Sequence, residues 1–135
     1  MAIKGSTQND LGLLFLRICS GGLMLSHGFP KLQNWYSLSG SFPDPLGIGS
    51  TLSLAGAVGA EFFCALLLVL GLATRLAAVP LLFTMLVAAF LVHGADPLQK
   101  KELALIYSGM YLALIFLGGG KYSLSNYFPK LKKFN

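Results

Sequence analysis

The sequence predicts an all-α, polytopic membrane protein: one domain over residues 1–135, built as a four-transmembrane-helix bundle with cytoplasmic termini. Three observations predict it. Of the 135 residues, 55% are hydrophobic and 11% charged, with a mean hydropathy of +0.70, whereas a soluble domain carries about 25% charged residues. Four apolar segments approach the roughly 20 residues needed to cross a bilayer. The basic residues stand singly or at segment ends rather than on one face with interleaved aromatics. The net charge of +5 therefore reads as a topology signal, and nucleic acid is excluded as a partner.

The first span covers residues 11–32, LGLLFLRICSGGLMLSHGFPKL. The decapeptide MAIKGSTQND before it resembles the start of a signal peptide, but no small-x-small cleavage site follows before Ser26-His27. It is read as leading into an uncleaved span. Pro30 is expected to perturb or break this helix near its outer end. The connection QNWYSLSGSFPDPLGIGS is the long one. Trp35 and Tyr36 suit the interfacial aromatic belt, and the Pro43-Asp44-Pro45 stretch stiffens a segment able to form a lid.

The second span covers residues 51–73, where Ala55 and Gly59, then Gly56 and Ala60, recur at the four-residue spacing that lets helices approach closely in lipid. After a hinge at Thr74-Arg75 the third span covers residues 76–93. The fourth covers residues 97–117: Asp96 can cap it, Pro97 suits the first helical position, and Gln99 completes a capping-box-like pattern. Glycines 118–120 end it. With four spans both termini share a side. Lys4, Arg75, Lys121, Lys130, Lys132 and Lys133 fall with the termini and Lys31, Lys100 and Lys101 opposite, so the positive-inside rule places the termini in the cytoplasm and the protein in the cell (inner) membrane. The basic tail YFPKLKKFN reads as a solvated flank near lipid headgroups. Cys19 and Cys64 lie in apolar stretches without a C-x-x-C pair; packing is the favoured role and a disulfide between facing helices the alternative.

Ionisable residues inside lipid are costly and normally face a bundle interior. Here they are Arg17, His27, Lys31, Glu61, His93 and Glu102, taken together as an intramembrane polar cluster. At about 100° per residue, Lys31 lies about 40° and His27 about 80° around the helix from Arg17, so the three share a face. A rise of about 1.5 Å per residue puts Arg17 about 10 Å, Glu61 about 18 Å and His27 about 25 Å from the cytoplasmic boundary. Arg17 and His27 are then the expected partners of Glu61, while Lys31, His93 and Glu102 gather near the outer mouth. Gly28 lets another group approach. Snorkelling for Arg17 and Lys31 and helix-end solvation for His93 and Glu102 are the competing readings.

The arginine and His-Gly-x-x-Lys of the first span, the Glu61 segment running on through LLLVLGLATRLAA, the VAAFLVH ending the third and LGGGKYSLSNY together resemble the DoxX family of small four-helix membrane proteins. The resemblance covers residues 11–127 and matches Arg17, His27, Lys31, Glu61 and Arg75 to the family's recurring polar residues. Relatives include a subunit of an archaeal thiosulfate:quinone oxidoreductase, which implies partnership with redox proteins. Fold transfers better than reaction. The sequence itself carries no dinucleotide-binding glycine fingerprint and no iron–sulfur cysteine pattern.

Two functions compete. In the first, a redox-associated subunit holds a quinone in an outer polar pocket, with His27 and Lys31 donating hydrogen bonds, Glu61 exchanging protons and Arg17 keeping Glu61 ionised. In the second, a non-catalytic scaffold inserts beside other membrane proteins, and the polar residues only lock the packing. A haem between His27 and His93 is the less favoured cofactor. Other expected partners are the lipid bilayer and a second copy of the chain.

Overall fold

The protein's structure is a computed structural model that describes residues 7–135, so Lys4 lies outside the described residues. Four long helices run in sequence: α1 Thr7–Gln33, α2 Ser50–Leu70, α3 Thr74–Val92 and α4 Leu98–Leu117. The 27 residues of α1 extend about 40 Å at 1.5 Å per residue. Three of the four, α1 to α3, are long and apolar enough to cross a membrane. The exception, α4, has 20 residues, but Lys100, Lys101 and Glu102 lie among its first five, leaving an apolar stretch over residues 103–117.

Each boundary has a local cause. Pro30 does not break α1; the helix continues to Gln33, and both the backbone N–H and the side-chain amide of Asn34 donate to the Pro30 carbonyl, at 3.0 and 2.8 Å. This close to the helix end, a proline removes little more than one backbone bond. A one-turn helix, Trp35–Leu38, follows. Asp44 then organises the loop: the Ile48 and Gly49 N–H groups and the Ser53 hydroxyl donate to its carboxylate at 2.9, 2.8 and 2.9 Å.

The end of α2 is a Schellman motif, in which Leu72 N–H donates to Leu67 O and Gly71 N–H to Leu68 O. Gly71 takes the left-handed conformation this needs, at φ +72°. Thr74 and Arg75, expected as a hinge, are instead the first turn of α3. Its free N–H groups are met by the C-terminal segment: Arg75 and Leu76 donate to Phe134 O, and the Thr74 hydroxyl to Asn135 Oδ1 at 2.8 Å. Pro97 flanks α4 rather than entering it, and Asp96 bonds His93 instead of capping the helix. At the other end α4 stops, as its glycines predict, at Gly118 with φ +78°.

The core is formed by Met24, Leu68, Leu81, Met85, Tyr111 and Leu114 with small alanines between them. The helices bring their large outward side chains, such as Phe15, Phe63, Phe83 and Phe116, to the surface, where lipid is the medium that suits them. The close approach of α1 and α2 uses glycines of α1 rather than the expected stripe of α2. A Cβ added at Gly21 would lie 2.8 Å from Ala65 O, and one at Gly28 would strike the Glu61 backbone; Gly56 and Gly59 have nothing within 4 Å. Both described chain ends lie at one end of the bundle: Lys121 N–H donates to Asp10, and the Ser125 hydroxyl accepts from Ala73 N–H at 2.7 Å beside the α2–α3 turn.

Candidate functional site: a polar cavity lined by four helices and His93

The regular helix is interrupted twice, and both interruptions serve one place. Residues Gly59–Cys64 of α2 form a wide π-helical turn, and so do Ala88–Val92 at the end of α3. Such turns are uncommon and gather at functional sites. Glu61 lies in the first, and His93 follows the second.

Lys31 Nζ donates to both oxygens of Glu61 at 2.7 Å, joining α1 to α2. The Glu61 side chain is 6% exposed and that of Lys31 26%. This replaces the expected pairing of Glu61 with Arg17 and His27. The reason is vertical register: α2 starts level with the one-turn helix beyond α1, where Thr51 Oγ1 donates to Ser39 O at 3.1 Å. Glu61 thereby falls opposite Gly28, whose missing side chain admits its backbone.

Arg17 sits elsewhere. Fully buried, it donates from Nη1 to Leu68 O at 3.5 Å and from Nη2 to Tyr122 O, in the last turn of α2 and the segment after α4. A cation there satisfies carbonyls that a helix end leaves unpaired. A Cβ at Gly71 would occupy the space of Arg17 Nη1. Its role is to pin the end of the bundle where the chain termini lie, and its Nε is buried without a partner among the described residues.

A cavity of about 250 Å³ is lined by His27, Lys31, Glu61 and His93, four of the six expected residues, together with Lys100 and Tyr107. Glu102 is exposed and lies outside this lining. His27, itself exposed, packs edge-on against Tyr107 with ring centroids 5.9 Å apart. Tyr107 stacks on Tyr111, and the Tyr111 hydroxyl donates to Ser20 O at 3.0 Å. Sequence reasoning missed both tyrosines, although their spacing of four on α4 was a usable signal. His93 Nδ1 is 2.8 Å from Asp96 Oδ2, and that hydrogen bond, helped by Lys100 and Lys101, holds the Asp96 carboxyl below the usual carboxylate range. Cys19 and Cys64 are free thiols. Among the described residues no group of three or more His, Cys, Asp or Glu is placed to hold a metal ion.

Chemically the cavity presents an ion pair, two imidazoles, a second ammonium and a phenol, enclosed by helices that face lipid. This defines a helical membrane protein with an internal polar chamber. A model of the DoxX family matches residues 12–94, and the chain belongs to that family. It is 36% identical over 129 residues to a protein of Haemophilus influenzae described only as uncharacterised, covering 87% of this chain and 91% of the relative. No solved structure matches it.

Proposed function

We propose that the protein is the membrane subunit of a quinone-linked redox complex and that its cavity binds the quinone headgroup. The observation that supports this most is the meeting of His27, Lys31, Glu61, His93 and Tyr107 on one chamber. Quinone recognition needs a hydrogen-bond donor for each carbonyl and a route for protons. An imidazole and the Tyr107 phenol are donors of the right kind. A quinone bound there would accept two electrons from a partner protein carrying its own redox centre and take up two protons, leaving as the quinol.

The chain's own residues divide the work. Lys31, bonded to both Glu61 oxygens, holds that side chain on the wall of the chamber, and Glu61 exchanges the proton. His93, oriented by Asp96, connects the chamber to the loop between α3 and α4. In this reading α4 completes a fourth crossing of the inner membrane, the whole chain acts as one domain with its termini in the cytoplasm, and the cavity opens to the outer face. Gentle extraction should recover the protein with quinone bound and with a redox partner. Glu61→Gln should retain both, because the amide still fits beside Lys31, yet reduce the partner's quinone-dependent turnover at least about tenfold. Quinone-free protein together with unchanged turnover would contradict the proposal.

A second reading, an assembly scaffold, draws on the small face of exposed Ala55 and half-buried Gly59, which leaves room for a helix of another membrane protein or of a second copy. Co-purification of a stable partner without quinone would favour it.

A further inference from the structure

The geometry points to a second subsite, an apolar groove under the 42–48 loop that holds the hydrocarbon chain of the same amphiphile; the inference rests on the headgroup reading above. The groove encloses about 520 Å³, within the range of small-molecule sites. Phe42, Pro45 and Leu46 roof it, and Leu52 of α2 with Phe83 and Val87 of α3 form its walls. Lys31 and Glu61 line both this groove and the polar cavity, as do Met85 and Ala88. The two spaces therefore meet at the ion pair, one almost wholly apolar and the other carrying the histidines, Lys100 and Tyr107.

That arrangement fits a ligand with a polar ring and one long chain. An extended protein segment is a poor occupant, because the apolar walls offer its backbone few hydrogen-bond partners, and a helix, which pairs its own backbone, is about 10 Å across and too wide for this space. A bilayer phospholipid is a poor one too: its headgroup belongs at the membrane surface, and Phe42, Pro45 and Leu46 cover the groove from a loop that Asp44 ties to the start of α2. The chain of a ligand whose head lies beyond Lys31–Glu61 meets neither obstacle.

The test uses the full chain in lipid nanodiscs and two probes, a benzoquinone carrying a decyl chain and the same ring carrying only methyl. Gly56 lines the groove and a Cβ there meets nothing within 4 Å, so Gly56→Phe brings a ring into the groove with no clash at its Cβ. Thr84→Phe does so from the α3 wall and decides the matter if Gly56→Phe loses its helical circular dichroism. Each variant is expected to weaken decyl-probe binding at least about tenfold, the effect of losing two or more buried methylenes, and to leave the methyl probe unchanged. Decyl-probe affinity equal to wild type in a folded variant, as when a bilayer lipid fills the groove, overturns the inference while the methyl probe still upholds the cavity. Failure of both probes on the wild-type protein overturns the cavity reading and this inference together.

Discussion

The Lys31–Glu61 pair shows what a charge inside lipid requires of its neighbours. Taking two charges from water is costly, and the pair is tolerable because Nζ meets both carboxylate oxygens. Removing one partner is worse than removing both. Lys31→Met should destabilise the protein by about 3 kcal/mol, the low end of the range because Lys31 keeps partial exposure. Lys31→Met with Glu61→Leu should recover most of that loss, as measured by unfolding in mixed micelles. A double variant no better than the single would show that the two charges act independently. Asp44 makes the opposite case, a carboxylate at the surface held below the usual range by the Gly49 N–H first, then by the Ser53 hydroxyl and the Ile48 and Gly47 N–H groups. A lowered carboxyl stabilises the loop above its ordinary value of about 3.9 and loses that contribution as pH falls through the folded value. Once corrected for intrinsic pH dependence, hydrogen exchange at Ile48 and Gly49 should accelerate below pH of about 4, whereas Asp44→Asn should exchange fast at every pH. Equal protection in variant and wild type would remove Asp44 from this role.

At the scale of the helices, the α1–α2 contact decides where the chemistry lies. Gly28 abuts the backbone of the π-helical turn at Glu61, whereas Gly22 meets nothing within 4 Å. Gly28→Ala should therefore destabilise the protein by about 2 kcal/mol or more, since backbone cannot yield as a side chain can. Gly22→Ala should be neutral or gain up to about 1 kcal/mol from helix propensity. Equal melting temperatures for the two variants would contradict the close approach. This contact also explains what could be read in advance. The shared face of His27 and Lys31 follows from 3.6 residues per turn, and the stop at Gly118 from glycine's tolerance of positive φ, whereas the stop at Gly71 falls before residue 73, where the span was expected to end. The partner of Glu61 does not follow. A π-helical turn breaks the rotation of about 100° per residue on which face arithmetic depends, and the level of α2 against α1 is set by a loop whose bonds, Ser53 to Asp44 and Thr51 to Ser39, follow no helical period. Arg17 was misassigned for a related reason: its acceptors, Leu68 O and Tyr122 O, are backbone atoms 51 and 105 residues away, and composition carries no trace of them.

For the molecule as a whole, apolar side chains face outward and the polar ones gather in two places with different work. At the end where the chain termini meet, Arg17, Asn135 and Ser125 satisfy helix ends and join the α2–α3 turn to the chain after α4. Toward the opposite end, His27, Lys31, Glu61, His93 and Tyr107 surround a chamber adjoining an apolar groove. The first arrangement is structural; the second has the form of a site for an amphiphile with a polar head. The most direct test is photoaffinity labelling of the protein in native membranes with an azido-benzoquinone, with the modified residues located by peptide mass spectrometry. The account predicts labels on His27, Tyr107 and their neighbours in the chamber, suppressed by excess unlabelled quinone. Labels spread over lipid-facing residues such as Phe15 and Phe116, unaffected by that excess, would contradict it.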